Sequence, residues 1–190
     1  MDATVIIATI DLFIGGGIIL LELFALFLIA GFFVTPPRFQ TFMHANAMTI
    51  AFVLSLGAAL GTLYYSEVVG VLPCTLCWYQ RALLYPQVLL FAYGVARKSA
   101  KVLPFTAFLS ALGLLTALYH ISLPLFTSPI FCDPETALCL VQTVRIFGYI
   151  TIPVMSASVF SALILLSIIG LRARHAPHEQ VKSSGQVKSV

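Results

Sequence analysis

The stretch 73-PCTLCWYQRALLYP-86 places two cysteines, Cys74 and Cys77, at the start of an apolar run that contains a single arginine, Arg81. The run continues to about Ala96, and a length of roughly 20 mostly apolar residues is enough to cross a bilayer. In a soluble protein a C-x-x-C suggests zinc or a thioredoxin-like redox site. Beside a membrane span, its chemistry depends on which side of the bilayer it faces.

Composition supports the membrane reading. The chain of 190 residues is 60% hydrophobic and 9% charged, with a mean hydropathy of +1.03. A soluble domain is about half apolar and about a quarter charged. The net charge of +3 is too small and too clustered for nucleic-acid binding. Five spans are expected, over about Val5–Val34, Phe42–Ser66, Cys77–Ala96, Val102–Leu123 and Phe147–Leu171. The expected fold is an all-α membrane protein: a four-helix transmembrane bundle over 42–171, plus one extra N-terminal transmembrane helix. That helix and a cytoplasmic turn occupy 1–41, and a disordered cytoplasmic tail occupies 172–190. Asp2 stands where a signal peptide would be basic, and the first apolar run is too long for a signal sequence, so a retained helix is expected.

The basic residues set the expected topology. Arg38, the group Arg97, Lys98 and Lys101, and the group Arg172, Arg174, Lys182 and Lys188 make eight of the ten Lys and Arg residues. All eight fall on one side, which the positive-inside rule assigns to the cytoplasm. The N-terminus is then outside and the C-terminus inside. The loop before Cys74 and the loop from Pro124 to Arg145, with Cys132 and Cys139, both face outside. That is the oxidising side, where disulfides form and persist.

Cys77 falls at or just inside a helix N-terminus, where the helix dipole and free N–H groups favour thiolate. A static loop disulfide is the bland alternative. Zinc is disfavoured, because C-x2-C with C-x6-C is not a usual zinc spacing. Arg81 lies one helical turn after Cys77 on the same face. It is read as stabilising a thiolate or a developing negative charge, against the alternative that it snorkels to lipid phosphates. Gln80 and Tyr79 offer hydrogen bonds but are also ordinary interfacial residues. Cys132 and Cys139, with prolines and acidic residues around them, are open to attack by another protein's thiol. His120 ends the fourth span beside Tyr119, suited to proton transfer, to a quinone oxygen, or only to the interface. His44 has no assigned role. Asp11 and Glu22, eleven residues apart, share one face of the first helix at about 100° per residue. They are read as docking it to the bundle, with Gly15, Gly16 and Gly17 allowing close approach; a proton relay is the alternative.

Thiols delivered to Cys132–Cys139 would pass by exchange to Cys74–Cys77. No further cysteine receives the electrons, and no haem or nucleotide motif is present. A lipid-soluble acceptor, a membrane quinone, fits, with Cys77 beside it and Arg81 balancing negative charge.

These motifs resemble those of the bacterial disulfide bond formation protein B family, including its Gram-positive-type members. The resemblance rests on 73-PCTLCWYQRALLYP-86, on 147-FGYITIP-153, and on the order of the cysteine pairs, over about residues 42–171. It implies a four-helix bundle in the bacterial inner membrane that re-oxidises a DsbA-like thioredoxin-fold thiol oxidase and reduces ubiquinone or menaquinone. It further implies that Cys132 forms the mixed disulfide, that Cys139 relays to Cys74, and that Cys77 and Arg81 face the quinone near His120. The extra first helix departs from the family pattern. The loop pair is also more closely spaced than in the best-known members, so the order of Cys132 and Cys139 stays open. A vitamin K epoxide reductase-like enzyme has its loop cysteines before the C-x-x-C, the reverse of this chain. A non-enzymatic membrane protein with two structural disulfides is the remaining alternative.

Overall fold

The computed structural model describes the backbone of residues 3–34, 37–123 and 146–186, and the side chains of 9–26, 42–43, 45–123 and 146–172. Cys132 and Cys139 lie outside the described residues, as does the side chain of His44. The described residues form five helices: α1 (Ala3–Val34), α2 (Pro37–Leu63), α3 (Thr75–Arg97), α4 (Leu103–Ser122) and α5 (Ile152–Gln186). α2 runs on into a wide π-type turn over Tyr64–Val68, and a short 3-10 turn, Ala100–Val102, precedes α4. The architecture is all-α, with a single isolated bridge between Ile146 and Ile150 among the described residues.

Four helices are long and apolar enough to cross a membrane, over Thr9–Leu26, Ala45–Val68, Ala100–Ser122 and Ile152–Arg172. The remaining expected span, Cys77–Ala96 in α3, is not one of these. The 23 residues of α3 give a rod of about 35 Å, but Gln80, Arg81 and Gln87 dilute its apolar character. Gln80 and Gln87 are buried, and α3 packs between α2 and α4, so its polar groups are satisfied inside the bundle. The Gln87 Oε1 accepts from Ser110 Oγ of α4 at 2.7 Å, and Thr62 Oγ1 of α2 meets the Tyr85 hydroxyl at 3.0 Å. Thr106 of α4 and Ser167 of α5 share a third such bond at 3.2 Å. In lipid, where hydrophobicity does not drive helices together, small residues and interhelical hydrogen bonds take over that role.

Phe91, Leu103, Phe160, Leu163 and Leu166 form the core of α2–α5. Gly113 of α4 admits the Phe160 ring so closely that a Cβ there would lie 2.5 Å from it. The outer surface is apolar as well, with Phe13, Leu20, Leu89, Phe105 and Phe108 exposed, as expected of a surface solvated by lipid.

α5 starts at Ile152, later than the expected Phe147. Phe147 and Gly148 have φ of +50° and +82°, and reciprocal backbone bonds between Ile146 and Ile150 close a tight turn. Left-handed backbone cannot continue a right-handed helix, and Pro153 suits the first helical turn because its missing N–H is not needed there. At its other end α5 passes the apolar span and its helical backbone continues to Gln186, through residues expected above to form a disordered cytoplasmic tail. Arg172, Ala173, Arg174 and Gln180 are good helix formers, so the backbone ladder outlasts the apolar run.

α1 docks by one face. Asp11, Ile14, Gly15, Ile18, Ile19 and Glu22 recur at helical spacing toward the bundle, while Leu12, Phe13, Leu20, Leu23 and Leu26 are exposed. The Tyr65 hydroxyl donates to Asp11 Oδ1 at 3.1 Å. Ser158 Oγ and the Tyr149 hydroxyl donate to the two oxygens of Glu22 at 2.9 and 3.1 Å. Of the three glycines, only Gly15 makes the close approach: a Cβ there would meet Ile146 Cγ2 at 2.5 Å, whereas Gly16 and Gly17 face open space.

Candidate functional site

The site is built on the N-terminus of α3. Cys74 is the residue flanking the helix, in extended conformation, and its carbonyl accepts the first helical bond from the Trp78 N–H at 3.1 Å. Cys77 follows within the first turn. The two sulfurs lie 3.1 Å apart, and both cysteines are free. The separation exceeds a disulfide bond of about 2.05 Å by roughly an ångström, so forming the bond needs only a small movement.

His120, from the C-terminal end of α4, closes the site from above. Its Nδ1 is 3.5 Å from the Gln80 side-chain nitrogen, and its Nε2 is 3.8 Å from Cys74 Sγ. An amide nitrogen only donates, so Nδ1 is the acceptor in that contact, and Nε2 faces the sulfur. The Cys77 thiol donating to Cys74, and after it His120, hold the Cys74 thiol far below the usual thiol range, although burial opposes ionisation. The helix-terminus argument expected the reactive thiolate at Cys77; in the structure the two sulfurs face each other and His120 lies against Cys74. Both sulfurs share that terminus, and the side chains around them decide which one carries the charge.

Cys77 instead faces a cavity of about 130 Å3, with mostly apolar walls. Arg81 lies in the same wall one turn on. Its Nη2 donates to the Thr62 carbonyl of α2 at 2.8 Å, where α2 widens into the π-type turn, and its guanidinium lies over the Trp78 ring at 5.4 Å. Among the described residues, one of its five N–H groups donates to Thr62, which holds the charge in place. Tyr65, Met155 and Phe160 complete much of the lining. For scale, an apolar cavity of about 150 Å3 takes up benzene, so this space suits one six-membered ring.

A second chemistry uses the same atoms. Donor atoms of Cys74, Cys77 and His120 lie within 4.8 Å of one another, a set that zinc also accepts. The sequence argument against zinc counted only cysteines and had no means of placing His120 beside them. Only the dithiol state suits a metal, because a disulfide offers no thiolate.

Residues 44–170 match the family model for disulfide bond formation protein DsbB. The chain belongs to the DsbB family. The chain is 34% identical over 133 residues to a probable disulfide formation protein C of Halalkalibacterium halodurans, covering 68% of this chain and 96% of that protein. It is 36% identical over 124 residues to the SPbeta prophage-derived disulfide bond formation protein B of Bacillus subtilis, covering 65% and 82%. A probable disulfide formation protein of Oceanobacillus iheyensis is 34% identical over 130 residues, covering 67% and 90%. No solved structure matches the chain. As a DsbB-family member, the chain is a multi-pass membrane protein of disulfide formation. The matched stretch contains Cys74, Cys77, Arg81, His120, Cys132 and Cys139; α1 precedes it.

Of the expected DsbB-family site residues, the structure brings Cys74, Cys77 and His120 together and places Arg81 with Cys77 on one cavity. Gln80, read from sequence as a hydrogen-bonding or ordinary interfacial residue, meets the histidine ring. Thr62 and Tyr65 carried no motif. Their only advance signal was polarity near the end of an otherwise apolar span.

Proposed function

We propose that the chain is a thiol:quinone oxidoreductase that re-oxidises a DsbA-like thioredoxin-fold thiol oxidase on the outer face of the bacterial inner membrane. The observation that carries this reading is the arrangement at Cys77. One sulfur of a close cysteine pair opens onto a ring-sized apolar cavity with a fixed guanidinium in its wall. A structural disulfide has no use for either feature.

The residues present fit a quinone headgroup in size, polarity and charge. When bound, a quinone takes up two electrons and two protons and leaves as quinol. The chain's own part is thiol chemistry. A partner dithiol reduces Cys132–Cys139 and is itself oxidised to a disulfide. The loop dithiol then reduces Cys74–Cys77 by a second exchange and returns to its disulfide. Cys74 and Cys77 finally lose two electrons and two protons as their bond re-forms. His120 and Gln80 favour the Cys74 thiolate, Arg81 balances negative charge on the cavity side, and the apolar walls exclude water. The core that carries this function is 42–171, with the N-terminus outside and the C-terminus cytoplasmic.

The test is quinone reduction by the purified protein in detergent, with a reduced thioredoxin-fold oxidase as donor, for wild type and Cys77→Ser. Turnover that disappears in the variant supports the reading. Folded wild-type protein that reduces neither ubiquinone nor menaquinone analogues overturns it in favour of a structural role.

A further inference from the structure

α1 lies before the stretch matched to the family, yet it touches the cavity. Ile18 of α1 lines it directly. So does Tyr65, whose ring position is fixed from α1 by the hydroxyl bond to Asp11. A buried hydroxyl that loses its partner costs enough to move the side chain toward another one. The α5 side of the cavity is also braced from α1. Gly15 abuts Ile146 and Phe147, in the turn that leads into Ile152, and Glu22 holds Ser158; both Ile152 and the α5 residues Met155 and Val159 line the cavity. Asp11 thus holds a lining residue directly, and Gly15 and Glu22 contact segments that adjoin lining residues in the chain, while much of the rest of the helix faces outward.

We propose that α1 is a fifth wall of the quinone site, and that Asp11 is a positioning residue that sets, through Tyr65, how tightly the quinone ring is held. This inference rests on the quinone reading above. It assigns the extra helix to acceptor binding and leaves thiol exchange to the four-helix core.

The experiment uses the full chain in lipid nanodiscs, with a short-tailed benzoquinone as probe and a reduced thioredoxin-fold oxidase as donor. Wild type is compared with Asp11→Ala, Asp11→Asn and Gly15→Leu. Asp11→Ala and Gly15→Leu raise the KM for quinone about tenfold, the equivalent of one lost contact, while kcat at saturating quinone is retained. Asp11→Asn keeps an oxygen that accepts from Tyr65 and stays near wild type. Transfer of thiols into Cys74–Cys77, followed without quinone by trapping with an alkylating reagent, is the same in all four proteins. Gly15→Leu displaces α1 from a different point, so it tests the wall even if Asp11→Ala fails to fold. A wild-type KM in the folded variants overturns the inference, as does an equal fall in kcat and thiol transfer. A wild type that reduces no quinone overturns the proposed function instead, and the inference falls with it.

Discussion

At the scale of single residues, the site divides two sulfurs by their neighbours. Cys74 has the Cys77 thiol and His120 directed at it, and Cys77 has the cavity. Because the Cys74 pKa is lowered, its thiolate persists as pH falls below the ordinary thiol range and is lost only when pH reaches the folded value. The stabilisation from that thiolate is likewise complete above the unfolded pKa and disappears as pH falls through the folded one. Removing His120 takes away one of the groups that favour ionisation. In His120→Ala the midpoint of Cys74 alkylation with pH moves upward by about one unit, the equivalent of a charge-assisted hydrogen bond; an unchanged midpoint would remove His120 from the site. Arg81 makes a different prediction. Arg81→Met lowers quinone-dependent turnover about a hundredfold, the usual cost of losing one preorganised donor at developing negative charge. Stopped-flow measurement of quinol formation checks this, and near-normal turnover would leave Arg81 only its contacts with Thr62 and Trp78.

At the scale of helices, the bundle depends on close approach and buried polar bonds. Gly113 is the clearest case, since any side chain there collides with the Phe160 ring. Gly113→Ala destabilises the protein by about 1–3 kcal/mol, the usual range for overpacking. Thermal unfolding in detergent measures it, and Phe160→Leu in the same chain recovers part of the loss. The boundaries of α5 show the limit of reading helices by hydropathy. Phe147–Leu171 carries no charged residue, but Phe147 and Gly148 adopt left-handed backbone and form a turn instead. The opposite case is α3, whose buried glutamines make it too polar to qualify as a span by composition although it is long enough to be one.

For the whole molecule, the proposed topology follows from the basic residues. In intact cells, a chain whose only cysteine is Cys132 reacts with a membrane-impermeant maleimide. A cysteine-free chain carrying Ser99→Cys, in the turn between α3 and α4, reacts only after lysis. The reverse pattern would invert the topology and place both pairs on the reducing side, where a disulfide-generating role makes no sense. The same orientation brings the N-terminus of α3, the C-terminus of α4 and the turn before α5 to one end of the bundle. That end is where the cysteine pair, His120 and the cavity meet.

The sequence alone determined the class of molecule and supplied most of the residues proposed to react. Apolar runs of spanning length, clustered basic residues and a C-x-x-C beside an arginine are local patterns. Each follows from the length of a bilayer, the cost of charge within it and the chemistry of thiolates. The family motifs rest on residues that are close together in the chain, and the family match agrees with them. Tertiary structure alone decided that His120 lies beside Cys74, across 46 positions of the chain. It also decided that Asp11 meets Tyr65 across 54 positions, and that Ile18 of α1 shares a cavity with Cys77. Such pairs leave no periodic trace along the chain. They exist only once packing has brought the helices together, and the acid–base balance of a buried site depends on the groups that packing places beside it.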